Sequence, residues 1–127
     1  MVIRVAPIER LSVVSFPREE DRLNPSKETA RDSRLFEPII YHCFDCGYDV
    51  EFTKEDFQKH FHSPYSNLSI TDQAQIDELK TQSKEDRLSF LDFYCPSCRR
   101  AVCILFVGGI AGKGEFFVDI QDVLEIR

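Results

Sequence analysis

Two cysteine pairs, Cys43-x2-Cys46 and Cys95-x2-Cys98, constrain this 127-residue chain more than any other feature. A C-x2-C turn sets two thiolates on one side of a tight loop, with backbone N–H groups free to point at the sulfurs. Two such turns brought together complete a tetrahedron of sulfur, the arrangement Zn2+ prefers at a Zn–S distance of ~2.3 Å. Both pairs have aromatic lead-ins, Tyr41-His42-Cys43 and Phe93-Tyr94-Cys95, and each is followed by a strand pattern. Gly47 allows a left-handed turn after Cys46, and Pro96 stiffens the second loop. Cys43, Cys46, Cys95 and Cys98 are therefore the candidate ligands of one structural zinc ion. Four thiolates close a site, whereas a catalytic zinc keeps three protein ligands and a water.

The fifth cysteine, Cys103, lies five residues beyond Cys98 among Val102, Ile104 and Leu105. An extended chain at ~3.3 Å per residue carries it far from a shared metal, so it is expected to be a small buried hydrophobe. A redox reading of the C-x2-C pairs requires a helix after the motif, as in thioredoxin-like proteins, and strands follow here. His60 and His62 are expected to be structural residues at the end of a helix, and His42 a neighbour of a ligand. The glycine-rich stretch 108–115 lacks the first Gly and the final Ser/Thr of a phosphate loop; a hairpin turn over 108–114 is the expectation.

The stretches CFDCGYDVEF and YCPSCRRAVCILF resemble the two knuckles of a zinc ribbon. The resemblance implies that each knuckle tops a β-hairpin and that one metal joins the pair. It covers about residues 40–60 and 90–125. Arg99 stands where the family commonly has Gly, and the 48 residues between the pairs exceed the usual ribbon spacing. It implies a fold and not a task.

The expected fold class is α+β: a zinc-ribbon-based antiparallel β-sheet with about two helices inserted between the C-x2-C knuckles. The length fits a single domain over 1–127. Within it, 1–40 form N-terminal strands and an exposed loop, and 41–127 form the ribbon with a helical insert at 53–86. MVIRV and RLSVVSF read as strands, 17–33 as loop, and the alternation of Tyr48-Asp49-Val50-Glu51-Phe52 as a half-buried strand. Thr53 and Asp56 make a capping box and Phe52 with Phe57 a hydrophobic staple, opening a helix that Ser63-Pro64 is expected to stop. A second helix, largely solvated, is expected from Ser69 or Thr71 to about Glu85. Residues 88–94 read as a strand, 100–107 as a strand buried on both faces, and 115–126 as the last strand.

Charge is unevenly placed. Residues 41–98 carry five basic and eleven acidic side chains, while the flanking segments are neutral, so this segment holds the whole net charge of −6. That sign disfavours nucleic acid, whose binders neutralise phosphates, and favours a basic protein partner. Asp72, Asp77, Glu78, Glu85 and Asp86 are the candidate contact residues. No nucleophile–base pair, open metal site or cofactor motif is found, so the expectation is a non-enzymatic zinc-binding interaction module, for example an inhibitor or immunity protein that neutralises a basic toxin. The alternative is a nucleic-acid- or transcription-associated ribbon with Arg99, Arg100 and Lys113 facing phosphate. The N-terminus lacks a signal-peptide pattern and no apolar run approaches the ~20 residues of a membrane span; a cytoplasmic protein is expected.

Overall fold

In the computed structural model the described residues are 2–5, 13–16 (backbone), 39–80, 88–110 and 116–127. Their elements are β1 (Val2–Val5), β2 (Val13–Phe16), β3 (Ile39–His42), β4 (Asp49–Phe52), α1 (Lys54–His60), α2 (Ile70–Lys80), β5 (Ser89–Tyr94), β6 (Ala101–Ile110) and β7 (Phe116–Ile126). The class is α+β. β5, β6 and β7 form an antiparallel meander; β1 pairs with the C-terminal half of β7 and β2 with its N-terminal half, completing a five-stranded sheet. β3 and β4 make a separate antiparallel hairpin.

The sheet is covered on both faces, and β6 shows why its sequence is so apolar. Val102, Ile104 and Phe106 pack with Leu91, Val118, Ile120 and Val123 against Ile39, Tyr41 and Phe52 of the hairpin and Phe57 of α1. Ala101, Cys103 and Leu105 point the other way, onto Ile76 and Leu79 of α2. Residues 101–106 are all buried, as expected of a central strand covered on both sides. Each side chain the size of Val102, Ile104 or Phe106 contributes roughly 1.5–3 kcal/mol on full burial.

The local signals of α1 hold. The Asp56 carboxylate accepts from the Thr53 backbone N–H at 2.8 Å, and the Phe52 and Phe57 rings meet edge-on at 6.1 Å. The helix ends earlier than Ser63-Pro64 suggested. Phe61 has left helical geometry and His62 has φ 51°, so His62 lies beyond the helix, with its N–H donated to Ser89 Oγ at 2.9 Å. α2 starts at Ile70, with Ser69 Oγ accepting from Asp72 N–H at 3.2 Å. Only Ile76 in it is fully buried, in keeping with a helix laid over the sheet. The residues expected to extend it, 81–85, lie outside the described set, as does the expected loop 17–33.

Two departures from the sequence reading matter. Gly108 and Gly109 are strand, paired with Val118 and Phe117, and not the start of the turn. A Cβ on Gly109 would sit 2.8 Å from the Phe117 ring and one on Gly108 3.1 Å from Phe61, so glycine here admits close aromatic neighbours. The second is a bulge: Leu105 pairs with Asp122 but Phe106 pairs with Ile120. The extra residue, Gln121, reverses the inward parity of β7. Val118 and Ile120 face the hairpin before it, Val123 and Glu125 after it.

Candidate metal centre

Each C-x2-C pair tops one hairpin. β3 delivers Cys43 and β4 leaves after Tyr48; β5 delivers Cys95 and β6 leaves after Arg100. The loops share one bonding scheme. Cys43 N–H donates to Tyr48 O at 2.9 Å and Gly47 N–H to Cys43 O at 2.8 Å; Cys95 N–H donates to Arg100 O at 2.8 Å and Arg99 N–H to Cys95 O at 2.9 Å. Gly47 and Arg99 occupy the same left-handed position, at φ 72° and 65°. Arg99 thus takes a conformation for which glycine is the usual residue.

The four Sγ atoms lie within 4.8 Å of one another. Cys43 and Cys98 sulfurs are 3.6 Å apart, and those of Cys46 and Cys95 3.5 Å. A disulfide needs ~2.05 Å, whereas neighbouring sulfurs on a tetrahedron of ~2.3 Å Zn–S bonds stand about 3.8 Å apart. The donor set therefore fits a thiophilic metal ion. Backbone N–H groups support the sulfurs: those of Cys46, Tyr48 and Arg100 point at Cys43, Cys46 and Cys98. The Tyr48 N–H is the main reason the Cys46 thiol drops to about 6. Desolvation pushes Cys98 up to about 12 and raises Cys43. Sulfurs this close resist ionising together without a cation between them. Cys43 and Cys95 are buried, Cys46 and Cys98 exposed, so the centre faces solvent on one side.

Cys103 is excluded by parity: it is fully buried on the opposite face of the sheet, in the cluster under α2. His60 is buried, its ring tilted against that of Tyr65 at 5.4 Å, and His42 lies at the surface with its Nδ1 2.6 Å from Asp49. Neither joins the sulfur cluster.

The acidic candidates divide. Asp72, Asp77 and Glu78 lie on α2; Glu85 and Asp86 are outside the described residues. Asp72 accepts the Tyr94 hydroxyl at 2.6 Å, Asp77 pairs with Lys80 at 3.2 Å, and Glu78 also has a partner within the chain. Asp92, which sequence reasoning did not single out, is buried; it accepts from Asn67 N–H at 2.7 Å and from the Ser66 hydroxyl, while Asn67 Nδ2 donates to Asp92 O at 2.7 Å. The last of these bonds occupies one backbone carbonyl of β5, an edge strand of the sheet.

Sequence reasoning also missed the carboxylates around Arg100. Its guanidinium pairs with Asp45 inside the first knuckle and lies 3.7 Å from Glu125, and its Nη1 donates to Ile126 O at 3.0 Å. Glu125 is fully buried, and its only signal was a carboxylate within an otherwise apolar strand end. Arg127 Nε is 3.5 Å from it, and Arg127 also covers the exposed Phe44 ring at 5.2 Å.

Comparison with protein-family models, with curated proteins and with solved structures finds no match. No described helix is long and apolar enough to cross a membrane.

Proposed function

We propose that this chain is a non-enzymatic protein-interaction module built on a zinc ribbon, with one structural Zn2+ held by Cys43, Cys46, Cys95 and Cys98. The observation that carries the reading is the convergence of four sulfurs from two separate hairpins at the spacing of a tetrahedral thiolate site. When bound, the metal supplies a crosslink. It fastens the β3–β4 hairpin, which shares no ladder with the five-stranded sheet, to the β5–β6 turn. Binding free energies of about 10–16 kcal/mol for such sites match the ~5–15 kcal/mol stability of a domain, so the metal would govern whether the hairpin stays docked.

The test is metal content of the protein purified under reducing conditions, followed by chelation. One equivalent of zinc is expected, with loss of hairpin protection in hydrogen exchange on its removal. A protein that takes up neither Zn2+ nor Co2+ refutes the reading.

The partner is proposed to be a basic protein in the cytoplasm, in the manner of an inhibitor or immunity protein, engaged by the acid-rich insert. Asp72, Asp77, Glu78, Glu85 and Asp86 are the contact residues of this proposal. Complex formation that survives charge reversal at Glu78, Glu85 and Asp86 together would remove it. The nucleic-acid alternative draws less support, because Arg100 is turned onto Asp45 and Glu125 and is not presented to a phosphate.

A further inference from the structure

Four buried polar atoms without a hydrogen-bond partner among the described residues are Tyr41 Oη, Arg100 Nε and both carboxylate oxygens of Glu125. They lie together behind the sulfur cluster. Tyr41 is two residues before Cys43 and is fully buried. Arg100 is two residues after Cys98, whose sulfur faces its backbone N–H. A fully buried carboxylate is costly to hold beside a part-buried guanidinium unless their pairing repays the lost hydration.

We propose that Arg100, anchored by Glu125, is the positioning residue of the metal centre. This rests on the metal reading above. The guanidinium reaches three segments: Asp45 in the loop between Cys43 and Cys46, Glu125 on β7, and the Ile126 carbonyl. It therefore ties the first knuckle to the sheet that carries the second, on the side where the sulfurs meet. It also places a fixed positive charge beside a site that, with four thiolates and Zn2+, carries two formal negative charges. The anchor depends on the β-bulge at Gln121. Were β7 paired in unbroken two-residue alternation, with Gln121 in the ladder, Glu125 would face α2 and Arg100 would have no carboxylate beneath it. Groups that orient metal ligands from outside the coordination shell typically change affinity 10–100-fold when removed.

The experiment measures Zn2+ affinity against a competing chromophoric chelator, with Co2+ absorption as a second readout of ligand geometry. Asp45→Asn tests the knuckle arm, and Arg100→Lys keeps the charge but loses the planar fork. Arg100→Met combined with Glu125→Gln removes the device without leaving a lone buried carboxylate. Wild type is expected to bind one equivalent, the Arg100/Glu125 double variant roughly 10–100-fold more weakly, and the two single variants in between. Adding Asp45→Asn to the double variant is expected to cost nothing further, because the shared contact is already gone. Unchanged affinity in the double variant overturns the proposal, as does a fall in the urea midpoint of metal-free protein with no change in affinity or Co2+ spectrum. A wild-type protein that binds no metal overturns the metal reading and this inference with it; a wild type that binds with all variants equal to it overturns the inference alone.

Discussion

Arg99 holds the left-handed position that Gly47 holds in the other knuckle, at φ 65° against 72°. For a residue with a Cβ this conformation costs roughly 1–2 kcal/mol. Glycine avoids that cost but loses about 0.5–1 kcal/mol through its greater freedom in the unfolded chain. Arg99→Gly should therefore stabilise the protein by about 0.5–1 kcal/mol, a rise in midpoint temperature of roughly 2–4 °C. Arg99 is exposed, so little packing is lost, but its charge lies near the sulfurs. Arg99→Ala separates the two effects: it removes the charge and keeps the strain. The glycine variant should exceed the alanine variant by about 1 kcal/mol. The assay is urea unfolding of all three proteins at one fixed free zinc concentration, since bound metal adds its own stabilisation. Equal midpoints for the glycine and alanine variants would refute the reasoning, because relief of the left-handed strain is expected to exceed glycine's entropic cost.

Two further outcomes are expected. Cys103→Ala should keep one equivalent of zinc and lose about 1 kcal/mol of packing on the α2 face, whereas Cys95→Ala or Cys98→Ala should lose stoichiometric zinc in the same chelator competition. His60 is buried and its Nδ1 has no partner among the described residues. Burial lowers its pKa from the ordinary 6.5, partly opposed by Asp92. Its folded pKa lies below its unfolded one, so the neutral ring's contribution is complete above pH 6.5 and is lost as the pH falls through the folded value. The stability gap between wild type and His60→Leu should therefore shift against wild type below pH 6.5 and stay constant above it; a gap independent of pH removes this account.

Features written in consecutive residues were legible without a structure. The C-x2-C spacing names the candidate ligands because two thiolates on one tight loop are a local geometric fact. The Thr53–Asp56 box and the Phe52–Phe57 staple start α1 because both act within a single turn. The apolar run through Cys103 reads as a strand covered on both sides, and the distance along it separates its sulfur from the other four; the structure adds that it lies on the opposite face. The glycines misled for the opposite reason. Gly108 and Gly109 look like a turn in isolation, and only the Phe61 and Phe117 rings, distant in sequence, explain why a strand needs them.

Tertiary structure alone decided what surrounds the centre. A two-residue period carried through β7 would put Leu124 on the hairpin side and Glu125 under α2. The bulge opposite Leu105 and Phe106 reverses this, and register is a property of two paired strands, invisible in either one. The partners of Arg100 follow from the same cause, since Asp45 and Glu125 reach it from two different hairpin partners separated by eighty residues. Which cysteines can bind a metal is chemistry carried by spacing; what holds them in place is set by contacts that exist only once the sheets have packed.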